Sequence, residues 1–189
     1  MFGDKFGHFL DRPLENVAKK ISFHPNTLTV IGFLITVIAS LVLLRSLALG
    51  GILVIAGGLF DVLDGVVART NGKKTKFGAF LDSVLDRFSD ALILLAIGWN
   101  LNNHGNFSGF ILAVLTLVGS FMISYVRARA EGLGKKCTKG ILERPERIVL
   151  LSIGAVSGYI VPVLWIMFVL TQLTVLQRIY HTWKIMSHG

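Results

Sequence analysis

From Thr27 to Tyr180 this chain alternates long apolar runs with short polar breaks. After His24-Pro25-Asn26, the run TLTVIGFLITVIASLVLLRSL and the next, from about Leu47 to Val67, are each long enough to cross a bilayer. Asn71-Gly72-Lys73-Lys74 interrupts the pattern as a turn, and a third helix is expected from about Phe77 to Asn100. Asn102 to Asn106 forms a polar loop before a fourth helix from Phe107 to about Ala128. A basic loop then reaches about Glu143. The fifth and sixth helices are expected from about Pro145 to Ile160 and from about Pro162 to Tyr180. Ahead of them, Phe2, Phe6, Phe9, Leu10, Leu14, Val17 and Ile21 recur at three- and four-residue steps among charged positions, the pattern of an amphipathic helix lying at a membrane surface. The expected fold is all-α and integral to the membrane. Residues 1–24 make an amphipathic juxtamembrane helix, and residues 25–189 make a single domain of six transmembrane helices.

Composition agrees: 53% of residues are hydrophobic and 16% charged, which excludes a soluble enzyme. The first 26 residues lack the continuous apolar core and cleavage site of a signal peptide, so the first spanning helix is expected to direct its own insertion. The net charge of +8 comes from bases clustered beside apolar runs, where they meet lipid headgroups rather than nucleic acid. In a six-helix count the bases of the N-terminal stretch, of Arg69 to Lys76, of Arg127 to Arg147, and Arg178 and Lys184 fall on one side, with Arg45 alone opposite. The positive-inside rule makes that side cytoplasmic, with both termini on it, in the cell membrane. The one cysteine, Cys137, forms no internal disulfide and reads as a loop bystander. The five histidines are scattered near helix ends and form no metal set. Gly50, Gly51, Gly57 and Gly58 are expected to let helices pack closely.

The polar break that changes the picture is DVLDGVVARTNGKKTKFGAFLDSVLD, from Asp61 to Asp86. On helices, a spacing of three places Asp61 and Asp64 on one face, and a spacing of four does the same for Asp82 and Asp86. An aspartate at the bilayer centre costs about 2.5–3.5 kcal/mol on insertion scales, so four together imply a wet, cation-filled pocket. Clustered carboxylates suit hard ions such as magnesium, which bridges carboxylates to substrate phosphates. Gly65 and Gly78 let a phosphate or nucleotide approach the backbone, Arg69 supplies a forked cation, and Thr75 a hydroxyl. Phosphoryl transfer follows from that set. The alternative of another class is a divalent-cation transporter, which leaves the spacing of Gly65, Arg69 and Gly78 without a reason.

This stretch fits D-x2-D-G-x2-A-R-x8-G-x3-D-x3-D at every fixed position and so resembles the CDP-alcohol phosphotransferase family. The resemblance implies a six-helix membrane enzyme, a homodimer, that moves a phosphatidyl-type group from a CDP-lipid to an alcohol and releases CMP. It further implies that Asp61, Asp64, Asp82 and Asp86 hold two magnesium or manganese ions, with Asp86 as the base that deprotonates the alcohol. Gly65, Ala68, Arg69, Thr75 and Gly78 would bind the CDP-lipid, joined by Asn26 and Thr29 of the PNTLT segment.

Two further stretches, DSVLDRFSD and RARAEGLG with ERPER, resemble the branch that makes phosphatidylinositol phosphate from inositol phosphate, and its archaeal-lipid counterparts. Arg127, Arg129, Lys135, Lys136, Arg144 and Arg147 form a cationic rim suited to the phosphate of an anionic acceptor. Of these, Arg127, Arg129, Lys135 and Arg147 are the candidate acceptor ligands, while Arg144 could instead pair locally with Glu143 or Glu146. Inositol 1-phosphate is the expected acceptor and glycerol 3-phosphate its rival. Asp90, one turn beyond Asp86, could orient Arg87 or another group near the site.

Overall fold

The computed structural model describes Ala18, residues 23–137 and residues 139–187. The expected amphipathic helix over residues 1–24 lies outside this range except for Ala18, Phe23 and His24.

Six helices are present among the described residues: α1 (Pro25–Leu43), α2 (Leu47–Thr70), α3 (Lys76–Asn103), α4 (Phe107–Gly132), α5 (Arg144–Ser157) and α6 (Ile160–Ser187). Their starts follow local chemistry. His24 Nδ1 accepts from Asn26 N at 3.3 Å ahead of Pro25, whose fixed φ suits a first helical turn. The Ser46 hydroxyl caps α2 through Leu49 N. That cap ends α1 at Leu43, four residues short of the expected boundary. Thr75 caps α3 by accepting from Gly78 N at 2.9 Å, and Asn106 caps α4 by accepting from Gly109 N at 2.8 Å. At α5, Glu143 N donates to Glu146 Oε2 at 2.9 Å, half of a capping box. Gly158 ends that helix at φ +80°, a left-handed position that favours glycine.

Four helices, α1, α2, α4 and α6, are long and apolar enough to cross a membrane. The other two depart from this for separate reasons. α3 carries Asp82, Asp86, Arg87 and Asp90 between its start and its midpoint region, and α5 has 14 residues, about 21 Å at 1.5 Å per residue. Leu34, Ile38, Leu41, Ile52, Leu59, Leu115, Trp165 and Leu176 stand exposed on the outer faces. A multi-pass membrane protein presents such faces to lipid.

Inside, α1 packs on α2 and α3, α4 on α3 and α6, and α2 on α5. Ala39, Leu43, Val54, Ile93, Ile97, Leu112, Leu164 and Met167 belong to the main core. Glycines set the closest approaches. A Cβ on Gly57 would stand 2.7 Å from Thr36 Oγ1 of α1, one on Gly51 2.9 Å from Ala155 Cβ of α5. The expected close packing of the α2 glycines is thus used within the chain. Asn100 Nδ2 donates to Leu44 O at 3.2 Å, tying α3 to the turn after α1. This frame gathers the start of α1, the end of α2 and the starts of α3 and α5 at one end of the bundle, with the ends of α4 and α6.

Candidate active site

Asp61 and Asp64 lie near the end of α2, and Asp82 and Asp86 near the start of α3. One carboxylate oxygen from each of Asp61, Asp64 and Asp82 falls within 4.8 Å of the others. Asp64 is buried, and its Oδ2 has no hydrogen-bond partner among the described residues. Three negative groups this close in a low-dielectric interior repel strongly unless a cation joins them. Their oxygen-only donor set and the orphaned Asp64 oxygen fit a hard divalent ion.

Asp86 stands beside this triad rather than within it. Arg144 Nη1 lies 2.6 Å from Asp61 Oδ2 and 2.7 Å from Asp86 Oδ1, so one guanidinium nitrogen bridges the two helices. Arg87 Nη1 is 3.6 Å from Asp86 Oδ2 and donates to Ser83 O at 2.6 Å. The local pairing of Arg144 with Glu143 or Glu146 does not occur. Glu146 is engaged by the backbone at the start of α5, and the Arg144 side chain turns inward to the denser negative charge.

A cavity of about 320 Å³ opens on one side of the triad. Its walls include all seven candidate nucleotide contacts: Asn26, Thr29, Gly65, Ala68, Arg69, Thr75 and Gly78. Both glycines are needed for its shape. A Cβ on Gly78 would come within 2.8 Å of Asn26 Oδ1, and one on Gly65 within 3.2 Å of Arg69 Nη1. Lys73 and Lys74 line this cavity too. In the sequence they mark a turn and count toward orientation, although their place between Arg69 and Thr75 could have singled them out.

A larger cavity, about 960 Å³, opens on the other side, and Asp86, Asp90, Arg127, Arg144, Arg147 and Arg178 are among its walls. Of the four expected acceptor ligands it collects Arg127 and Arg147. Arg129 and Lys135 are not in its walls; Arg129 follows Arg127 by two helical positions and so projects from another face. Arg127 also pairs with Glu131 at 2.9 Å. Arg147 is buried, with Nη2 3.1 Å from Asp90 Oδ2 and Nη1 donating to Ser120 O at 3.3 Å. Asp90 therefore serves Arg147 rather than Arg87. Arg178 is buried in α6 and donates from Nε to Lys139 O at 2.9 Å and from Nη1 to Ile123 O at 2.7 Å. The sequence analysis counts it only toward orientation, and the signal that could have found it is a lone arginine inside a membrane-length helix. The two cavities share no wall residue, and a narrow gap lined by Thr29, Asp61, Asp86 and Arg144 lies between them.

A family model described as CDP-alcohol phosphatidyltransferase matches residues 22–186. Archaetidylinositol phosphate synthase of Methanothermobacter thermautotrophicus is 37% identical over 188 residues, 96% of this chain and 94% of that one. The crystal structure of Mycobacterium tuberculosis phosphatidylinositol phosphate synthase with CDP-DAG bound aligns at a TM-score of 0.82 and 31% identity, covering 91% of this chain and 94% of that chain. The same mycobacterial enzyme in complex with manganese and citrate aligns at 0.81 and 31% identity, over 92% and 88%.

Proposed function

This chain belongs to the CDP-alcohol phosphatidyltransferase family and is a membrane transferase of phospholipid biosynthesis, and from that premise we propose that it transfers a diacylglycerol- or archaeol-phosphate group from a CDP-lipid to inositol 1-phosphate, releasing CMP. The observation that carries this reading is the pair of cavities flanking the aspartates. One is walled by the residues expected to hold CDP, the other by a carboxylate base and arginines. The relatives named for inositol-phosphate lipids, one archaeal and one mycobacterial, support the choice of acceptor.

In this reading the CDP diphosphate lies along Arg69, Lys73 and Lys74, with Gly65 and Gly78 leaving room for it and Asn26, Thr29, Ala68 and Thr75 completing the seat. Asp61, Asp64 and Asp82, with Asp86 beside them, would hold two magnesium or manganese ions; the relative in complex with manganese supports a divalent metal. Bound there, the metal would polarise the phosphoryl oxygens and stabilise the departing CMP. Asp86 accepts the proton of the acceptor hydroxyl at its carboxylate, which lines the acceptor cavity. Arg127 and Arg147 grip the acceptor's phosphate with forked, charge-assisted hydrogen bonds. Arg129 and Lys135, outside the cavity walls, draw the anion toward its mouth. All six helices cross the cell membrane as one domain, both termini and the active site face the cytoplasm, and two copies assemble as a homodimer.

CMP release from a CDP-lipid tests the reading, with purified protein, magnesium, and either inositol 1-phosphate or glycerol 3-phosphate, beside Asp86→Asn. Release that needs inositol 1-phosphate and Asp86 is expected. Preference for glycerol 3-phosphate overturns the acceptor, and no release with either, from folded and metal-loaded protein, overturns both candidate acceptors.

A further inference from the structure

Asp90 is buried behind Asp86 on α3, and its two carboxylate oxygens face two different arginines of α5. Oδ2 lies 3.1 Å from Arg147 Nη2, and Oδ1 lies 3.7 Å from Arg144 Nε. Arg144 in turn reaches Asp61 and Asp86 through Nη1. The order Arg147, Asp90, Arg144, Asp86 thus runs along one wall of the larger cavity, with every member in that wall. Arg144 Nε and Arg147 Nε are buried with no hydrogen-bond partner among the described residues. The contacts to Asp90 are therefore what fixes the plane of the Arg147 guanidinium and one edge of that of Arg144. Burying a carboxylate here is costly without a task that needs it, and two arginines side by side would repel without it.

Resting on the reading above, we propose that Asp90 is a positioning residue for the acceptor: it orients the Arg147 fork toward the acceptor's phosphate and, through Arg144, sets where Asp86 stands relative to the attacking hydroxyl. Asp90 is absent from the walls of the nucleotide cavity. Among the described residues its ion pairs are with Arg144 and Arg147, both in the wall of the larger cavity. A carboxylate with merely structural duties would affect both substrates alike.

The test is steady-state CMP release by Asp90→Asn, varying CDP-lipid and inositol 1-phosphate separately, alongside thermal unfolding. Loss of one charge-assisted contact predicts a rise of about tenfold in KM for the acceptor, with KM for CDP-lipid unchanged. Asp90→Glu keeps the charge while moving the carboxylate about one bond length, and predicts a smaller acceptor-only rise, about threefold. It serves as the measurement if Asp90→Asn does not fold. An unchanged acceptor KM, or equal changes for both substrates, in whichever variant folds overturns the positioning role while leaving the transferase intact. Wild-type protein that releases no CMP with either acceptor overturns the acceptor reading, and this inference with it.

Discussion

Arg144 Nη1 lies 2.6 Å from Asp61 Oδ2, an ion pair between residues 83 positions apart. With Asp86 on the same nitrogen, this contact pins α5 to α2 and α3 at the level of the aspartates. Arg144→Gln leaves two carboxylates facing each other uncompensated. Breaking a buried pair costs about 3–5 kcal/mol, but Asp61 keeps 32% of its side-chain surface exposed, so about 1–3 kcal/mol is expected here. Chemical unfolding in detergent measures it. Arg144→Lys can replace the single bridging nitrogen but not the Nε that faces Asp90, so it should recover most of the stability and only part of the turnover; no recovery of stability would speak against the bridge.

Asp86→Asn should lower the rate of CMP release by about 10²- to 10⁴-fold, the range of general-base catalysis. Binding of CDP-lipid, followed by equilibrium titration at saturating metal, should fall far less than the rate, since Asp61, Asp64 and Asp82 still form the triad and Asp86 is outside the walls of the smaller cavity. A large loss of CDP-lipid affinity would reassign the residue.

Gly78→Ala places a Cβ 2.8 Å from Asn26 Oδ1 and 2.9 Å from Thr75 Oγ1. Asn26 and Thr75, both in the wall of the smaller cavity, must then shift. The expected result is a rise of about tenfold in KM for CDP-lipid, with the acceptor KM unchanged, the mirror image of the Asp90 variants. Separate titration of the two substrates decides it.

Chelation with EDTA should abolish CMP release, and either magnesium or manganese should restore it. Metal binding should also raise the unfolding free energy, by about 2.7 kcal/mol at a hundredfold excess over Kd. Asp64→Asn removes a member of the carboxylate triad and should weaken that stabilisation. A thermal shift indifferent to metal in the wild type would count against the triad as its site.

At the seam of α4 and α6, a Cβ on Gly119 would collide with Thr171 Oγ1, which is fully buried. Gly119→Val should therefore destabilise the bundle by about 1–3 kcal/mol through overpacking, without altering either KM in the protein that folds. Unfolding curves paired with kinetics separate the two effects.

The aspartate stretch was legible because its spacing is local. Carboxylates three or four apart share a helix face, and a motif confined to 26 residues carries its own geometry. The five candidate nucleotide contacts drawn from that motif reach one cavity, and Asn26 and Thr29 join them because α1 packs on α2 and α3. Arg144 was misread because sequence shows its neighbours Glu143 and Glu146 but not Asp61, brought close only by packing α5 on α2. Arg178 was missed for a related reason. Its partners are carbonyl oxygens of Lys139 and Ile123, and backbone groups leave no mark in a pattern of side chains. The end of α1 depended on the Ser46 cap, a single hydroxyl within an otherwise unbroken apolar run.

Asp82 faces the smaller cavity and Asp86, one turn along the same helix, faces the larger. That division has a stereochemical consequence. With the two proposed seats on opposite sides of the carboxylates, a ternary complex and direct transfer are expected, with no phosphatidyl-enzyme required. Reciprocal initial-rate plots should intersect rather than run parallel, and a donor made chiral at phosphorus should emerge inverted.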